Sequence, residues 1–130
     1  MEKPQVPFIK GRLNSFGYAL KGIGSAFRSE LNLRWHALST VLVMGAGFYA
    51  GLSIIEWVCL FFAIGLVWMA ELFNTALEVV VDLVSPEAHP LAGKAKDIAA
   101  GAVLVASITA ALVGLLIFIP YLAYFLEKRP

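Results

Sequence analysis

Residues Ile54–Val84 read IIEWVCLFFAIGLVWMAELFNTALEVVVDLV, and this stretch decides the fold. A run this long and this apolar has no place in a small water-soluble domain, whose surface-to-volume ratio is too high to hide it. About 20 helical residues cross a hydrocarbon core, and only helices or closed barrels satisfy the backbone in lipid. The run is continuous rather than alternating, so it reads as a helix. Outward from it lie two further apolar segments, one over 35–52 and one whose apolar run, Ile98 to Leu126, extends a helix expected over 95–126. The whole chain agrees: 60% of its 130 residues are hydrophobic and 15% are charged, against about 45–50% and about 25% in ordinary soluble chains. One domain, 1–130, is expected.

The boundaries are punctuated. Gly51 closes the first apolar segment, and Ser53-Ile54-Ile55-Glu56 has the spacing of a capping box opening the second. Ser85 to Pro90 reads as a loop, because its prolines do not belong inside a helix. Pro120 falls near the end of the third segment, where a kink is expected. Before Trp35, Phe8, Leu13, Phe16, Leu20, Ile23 and Phe27 recur on one face, with Lys10, Asn14, Lys21 and Arg28 on the other. This predicts an amphipathic helix over about 8–34 lying in the headgroup plane; packing on a protein partner is the competing reading. Eight of the ten basic residues fall in the N-terminal region or after the second span, which makes that side cytoplasmic. No cleavable signal peptide is expected. The single Cys59 allows neither an internal disulfide nor a cysteine-based zinc site.

The inner half of the central run is not featureless. At about 100° per residue, Glu71, Glu78 and Asp82 lie within about 40° of one another and Asn74 about 60° to one side. These residues form a polar stripe about 16 Å long. Ionisable side chains in a span are costly and face a protein interior or a watery cavity. Three acids on one stripe suit a hard cation such as magnesium, which prefers carboxylate oxygens. A polar helix–helix seam is the structural alternative. Across the loop, Lys96 opens the third helix, where it can reach a polyphosphate, and Asp97 is placed to orient it or to bind a nucleotide hydroxyl. No G-x-x-x-x-G-K-[ST] phosphate loop occurs. Glu30, between Arg28 and Arg34, is either a further acid of this cluster or an ordinary surface ion pair.

At these residues the chain resembles the small bacterial membrane-bound diacylglycerol kinase and undecaprenol kinase family. The matching stretches are Glu71-Leu72-Phe73-Asn74-Thr75-Ala76-Leu77-Glu78, Val81-Asp82, His89, Ala95 to Val103, Ala19 to Gly22 and Glu30 to Arg34. The resemblance implies an all-α bacterial inner-membrane protein: a surface helix and three transmembrane helices in a homotrimeric bundle, with shared active sites and a cytoplasmic N-terminus. It implies ATP as co-substrate, Mg2+ as cofactor, a lipid alcohol as acceptor and no nucleic acid partner. Carried over by position, Glu71 becomes the general base and Asn74 supports it, while Glu30 and Glu78 become the metal ligands. Arg12, Tyr18, Glu30, Glu78, Asp82, Glu87, Ala88, His89, Lys96 and Asp97 line the nucleotide and metal side. Asn32-Leu33-Arg34-Trp35-His36, Asn74-Thr75 and His89-Pro90-Leu91 look closer to the undecaprenol kinase branch, with diacylglycerol the alternative acceptor. A small ion or proton channel and a structural subunit are the readings from other classes.

Overall fold

The computed structural model of this chain describes the backbone of residues 8–128 and the side chains of residues 14–128. Four helices account for almost all of it: α1 (Phe8–Ser29), α2 (Leu31–Ala50), α3 (Ile54–Val84) and α4 (Pro90–Glu127). There is no strand among the described residues. Helices α3 and α4 are long and apolar enough to cross a membrane. At 1.5 Å per residue, the 31 residues of α3 span about 46 Å, well beyond a core of about 30 Å. Helix α3 is therefore longer than the hydrocarbon core, and the polar stripe lies in its C-terminal half. Helix α2 has 20 residues and carries Arg34 and His36 near its start; it is not among the helices apolar enough to cross on composition alone.

The α2–α3 hairpin is short because each end is capped locally. Gly51 adopts a left-handed conformation (φ 73°) and donates its N–H to the Gly47 carbonyl at 3.1 Å. A Cβ is disfavoured in that region, so glycine is the fitting C-terminal cap. Ser53 and Glu56 form the expected capping box, with the Ser53 N–H donating to Glu56 Oε2 at 2.7 Å. The same Oε2 accepts from the Tyr121 hydroxyl at 2.8 Å, which ties α4 to the start of α3. Around this end Leu52, Leu60 and Ile117 are buried, with Val43, Trp57, Val113 and Phe118 packed against them. Most other large apolar side chains are exposed, Phe62 at 78% and Leu116 at 77% among them. A chain folded alone in water would not leave them so; lipid or another protein surface is their natural environment.

Two boundaries differ from the sequence expectation. The surface helix, expected to continue to about residue 34, stops at Ser29, and Glu30 takes an extended conformation (φ −99°, ψ 118°) as the residue preceding α2. Arg34 explains the break: its guanidinium donates to the carbonyls of Phe27 and Arg28, satisfying acceptors that the end of α1 leaves open. The third long helix, expected from 95, begins at Pro90, so the loop is shorter than Ser85 to Pro90. Proline fits the first turn of a helix, where its missing N–H has no partner to serve. His89 caps it, its Nδ1 accepting from the Leu91 N–H at 3.2 Å. Helix α4 then continues through Pro120 to Glu127.

Candidate active site at the inner end of α3

Glu71 is the centre of the stripe and is almost completely buried, at 1% exposure. Asn74 and Thr75, one turn on, are buried as well. The Thr75 hydroxyl is turned back onto its own helix, donating to the Glu71 carbonyl at 3.0 Å. The Asn74 amide donates to Glu78 Oε1 at 2.9 Å, an i,i+4 contact that fixes the Glu78 carboxylate. Two acceptors are left over: Glu71 Oε2 and Asn74 Oδ1 are buried without a hydrogen-bond partner. Buried polar atoms are nearly always paired, so two unpaired oxygens one helical turn apart call for an explanation.

Helix α2 approaches this stripe from the side. The Trp68 indole N–H donates to the Thr40 hydroxyl at 3.1 Å, and that hydroxyl donates to the His36 carbonyl at 2.7 Å. From this contact His36 lies one turn back along α2 and Glu71 one turn on along α3. Asn32 follows another turn back. Its side chain lies near Glu71, and His36, Glu30 and Glu78 are all within electrostatic range of the Glu71 carboxylate. Glu30, at the α1–α2 joint, forms no ion pair among the described residues, and its charge is felt at Glu71. Neither Asn32 nor His36 was among the expected site residues. Their signal was present as two polar residues four apart at the start of an otherwise apolar helix.

Lys96 is held by Asp82, with Nζ 2.6 Å from Oδ1. Of the two roles expected of the neighbouring Asp97, orienting Lys96 falls to Asp82 of α3 instead, because consecutive residues on a helix point about 100° apart. Asp97 is exposed, as are Glu87, Ala88 and His89 in and beside the loop, and Tyr18 on α1. Within the loop the Ser85 hydroxyl donates to the Glu87 carbonyl at 3.1 Å. Arg12 lies outside the described side chains. The stripe itself grades from buried Glu71 and Asn74, through half-buried Glu78, to exposed Asp82.

Among the described residues no three His, Cys, Asp or Glu side chains close around a common metal position. The donor set still fits magnesium, which uses one or two carboxylates and completes its shell with phosphate oxygens and water. Glu30 and Glu78 would supply hard oxygens, and the unpartnered Oδ1 of Asn74, whose amide bonds Glu78, is a further oxygen on the stripe. Beside this cluster, α2, α3 and α4 line an open groove of about 910 Å³. Its lining is apolar along most of its length, with His36, Ser39 and Thr40 together on α2.

Comparison with known proteins gives a consistent picture. The sequence profile of the family described as prokaryotic diacylglycerol kinase matches residues 17–118. The undecaprenol kinase of Bacillus subtilis is 47% identical over 108 residues, covering 83% of this chain and 88% of that protein. A diacylglycerol kinase of Synechocystis is 45% identical over 109 residues, covering 83% of this chain and 62% of that protein. The diacylglycerol kinase of Escherichia coli is 34% identical over 98 residues, covering 75% of this chain and 80% of that protein.

Proposed function

Since this chain belongs to the prokaryotic diacylglycerol kinase family, and is a bacterial membrane lipid kinase with ATP as co-substrate, we propose that it phosphorylates undecaprenol at the cytoplasmic face. The observation that carries the catalytic part is the buried Glu71 carboxylate with its free Oε2. An acceptor hydroxyl placed there would be deprotonated by Glu71 as its oxygen attacks the γ-phosphorus. The bond from that phosphorus to the β–γ bridging oxygen breaks, ADP leaves, and the proton on Glu71 passes later to water. Such transfers depend on positioning and charge neutralisation more than on covalent chemistry.

Glu30 and Glu78 would hold Mg2+, which when bound neutralises charge on the ATP phosphates. Asn74 keeps Glu78 in place through its amide. Lys96 would leave Asp82 for a phosphate oxygen, an exchange that costs little because the pair is exposed. Tyr18, Arg12, Asp97 and the Glu87–Ala88–His89 segment would frame the nucleotide. Helix α2 would be the third span, running antiparallel to α3. The basic residues of α1, Arg34, Lys94 and Lys96 would then share the cytoplasmic side with Glu30 and the 85–89 loop. Much of the apolar surface of α3 and α4 is left uncovered by the chain itself, which supports assembly of several copies, a trimer with shared sites.

The 47% identity with the Bacillus subtilis undecaprenol kinase supports the polyprenol, and the 45% identity with the Synechocystis diacylglycerol kinase keeps diacylglycerol as the alternative acceptor. The test is competition in mixed micelles, with undecaprenol and diacylglycerol at equal mole fraction, ATP and Mg2+. Undecaprenyl phosphate should dominate the product. A product mixture dominated by phosphatidic acid overturns the assignment.

A further inference from the structure

Helix α2 is held differently at its two ends. Beside the α2–α3 hairpin it is packed against both neighbours: Gly47 lies close against the Trp57 ring, and Tyr49 stacks on Phe125 of α4 at 5.6 Å. Toward the acidic cluster, α4 faces it across the open groove, with the short residues Ser107, Ala110 and Ala111 on the far wall. Leu33 is fully buried near the start of α2, but apolar burial has no direction and leaves a helix free to slide or turn. The directional tie in this half is a two-bond relay. The Trp68 indole N–H donates to the Thr40 hydroxyl at 3.1 Å, and that hydroxyl donates to the His36 carbonyl at 2.7 Å. An indole nitrogen only donates, so the direction of both bonds is fixed and each polarises the other. Trp68 stands one turn before Glu71 on α3. The relay therefore fastens α2 beside the turn that carries the buried carboxylate, where the charges of His36 and Glu30 are felt.

We propose that Trp68 and Thr40 are positioning residues for the phosphoryl transfer: their hydrogen bond fixes α2 to α3 one turn from Glu71, and so sets the distance between that carboxylate and the groups carried by α2 and the α1–α2 joint. Neither side chain touches the reacting atoms. The proposal rests on Glu71 being the base. What it requires of residue 68 is an N–H donor, not aromatic bulk alone.

The test measures kcat of the full chain in mixed micelles, with saturating lipid alcohol, ATP and Mg2+. Trp68→Phe keeps an aromatic ring and Thr40→Val keeps the branched shape, and each removes one partner of the bond; Thr40→Ser keeps the hydroxyl. Trp68→Phe and Thr40→Val should each lower kcat by about tenfold or more. The double variant should be no slower than either alone, because both changes remove the same bond. Thr40→Ser should stay within about threefold of native, and all thermal midpoints within about 4 °C. In a Glu71→Gln background, Trp68→Phe should cause no further loss, since it acts through that carboxylate. Native kcat in Trp68→Phe, additive losses in the double variant, a Thr40→Ser as slow as Thr40→Val, or a full Trp68→Phe effect in the Glu71→Gln background overturns the proposal. So does a loss of kcat that follows a fallen thermal midpoint, which would make the bond purely structural. Full activity in Glu71→Gln alone overturns the base assignment and this proposal together, whereas a slow Glu71→Gln with a native Trp68→Phe overturns this proposal only.

Discussion

Lys96 on α4 reaches across the 85–89 loop to Asp82 on α3, with Nζ and Oδ1 2.6 Å apart, and the two side chains are 36% and 65% exposed. An exposed pair of this kind contributes at most about 1 kcal/mol to stability. Its importance is positional: it keeps the cation beside the acidic stripe without binding it irreversibly. Lys96→Met should therefore raise the KM for ATP by about tenfold or more, while shifting the thermal midpoint hardly at all. Asp82→Asn should have a smaller effect in the same direction. A lysine variant with native ATP kinetics would contradict the role given to it.

Glu71→Gln preserves the shape of the side chain but removes the basic oxygen. Turnover should drop by about 10²–10⁴, the usual contribution of a general base. Helix content by circular dichroism should be native, since the glutamine leaves no buried charge unpaired.

Chelation with EDTA should abolish activity, and added Mg2+ should restore it. Glu30→Gln and Glu78→Gln should each raise the Mg2+ concentration needed for half-maximal turnover by about tenfold or more. Magnesium titrations of the two variants that overlay the native curve would remove both residues from the metal site.

A Cβ at Gly47 would sit 2.9 Å and 3.2 Å from two atoms of the Trp57 ring and 3.0 Å from Leu52 Cδ1. Trp57 cannot easily yield, because its ring is packed against Phe48 and Phe61. Gly47→Ala should destabilise the hairpin by about 1–3 kcal/mol, read as faster thermal inactivation in detergent. The KM for ATP should not change, because this contact lies at the opposite end of α3 from the acids.

The long apolar runs, the Ser53–Glu56 cap and the Glu71–Asn74–Glu78–Asp82 stripe were legible in the sequence because each is a local pattern with a fixed period or spacing. The break at Glu30 was not. The apolar spacing of α1 carries on across it, no glycine or proline marks it, and the cap comes from Arg34 reaching backward. Pro90 was read as a loop residue although the first turn of a helix accepts it. The Asp82 partner of Lys96, and the approach of Asn32 and His36 to Glu71, arise only when separate helices pack. Sequence neighbours such as Asp97 were the misleading guide there.

The joint at Glu30 has a consequence for what this chain can tolerate in the way of insertions. Surface helix, first carboxylate and the two α2 residues beside Glu71 follow one another within seven positions, and Arg34 fastens the turn from inside that same interval. One extra residue between Glu30 and Asn32 would turn Glu30 about 100° relative to α2 and move the α1 carbonyls out of register with Arg34. Such an insertion would separate the acid proposed for the metal from the proposed base.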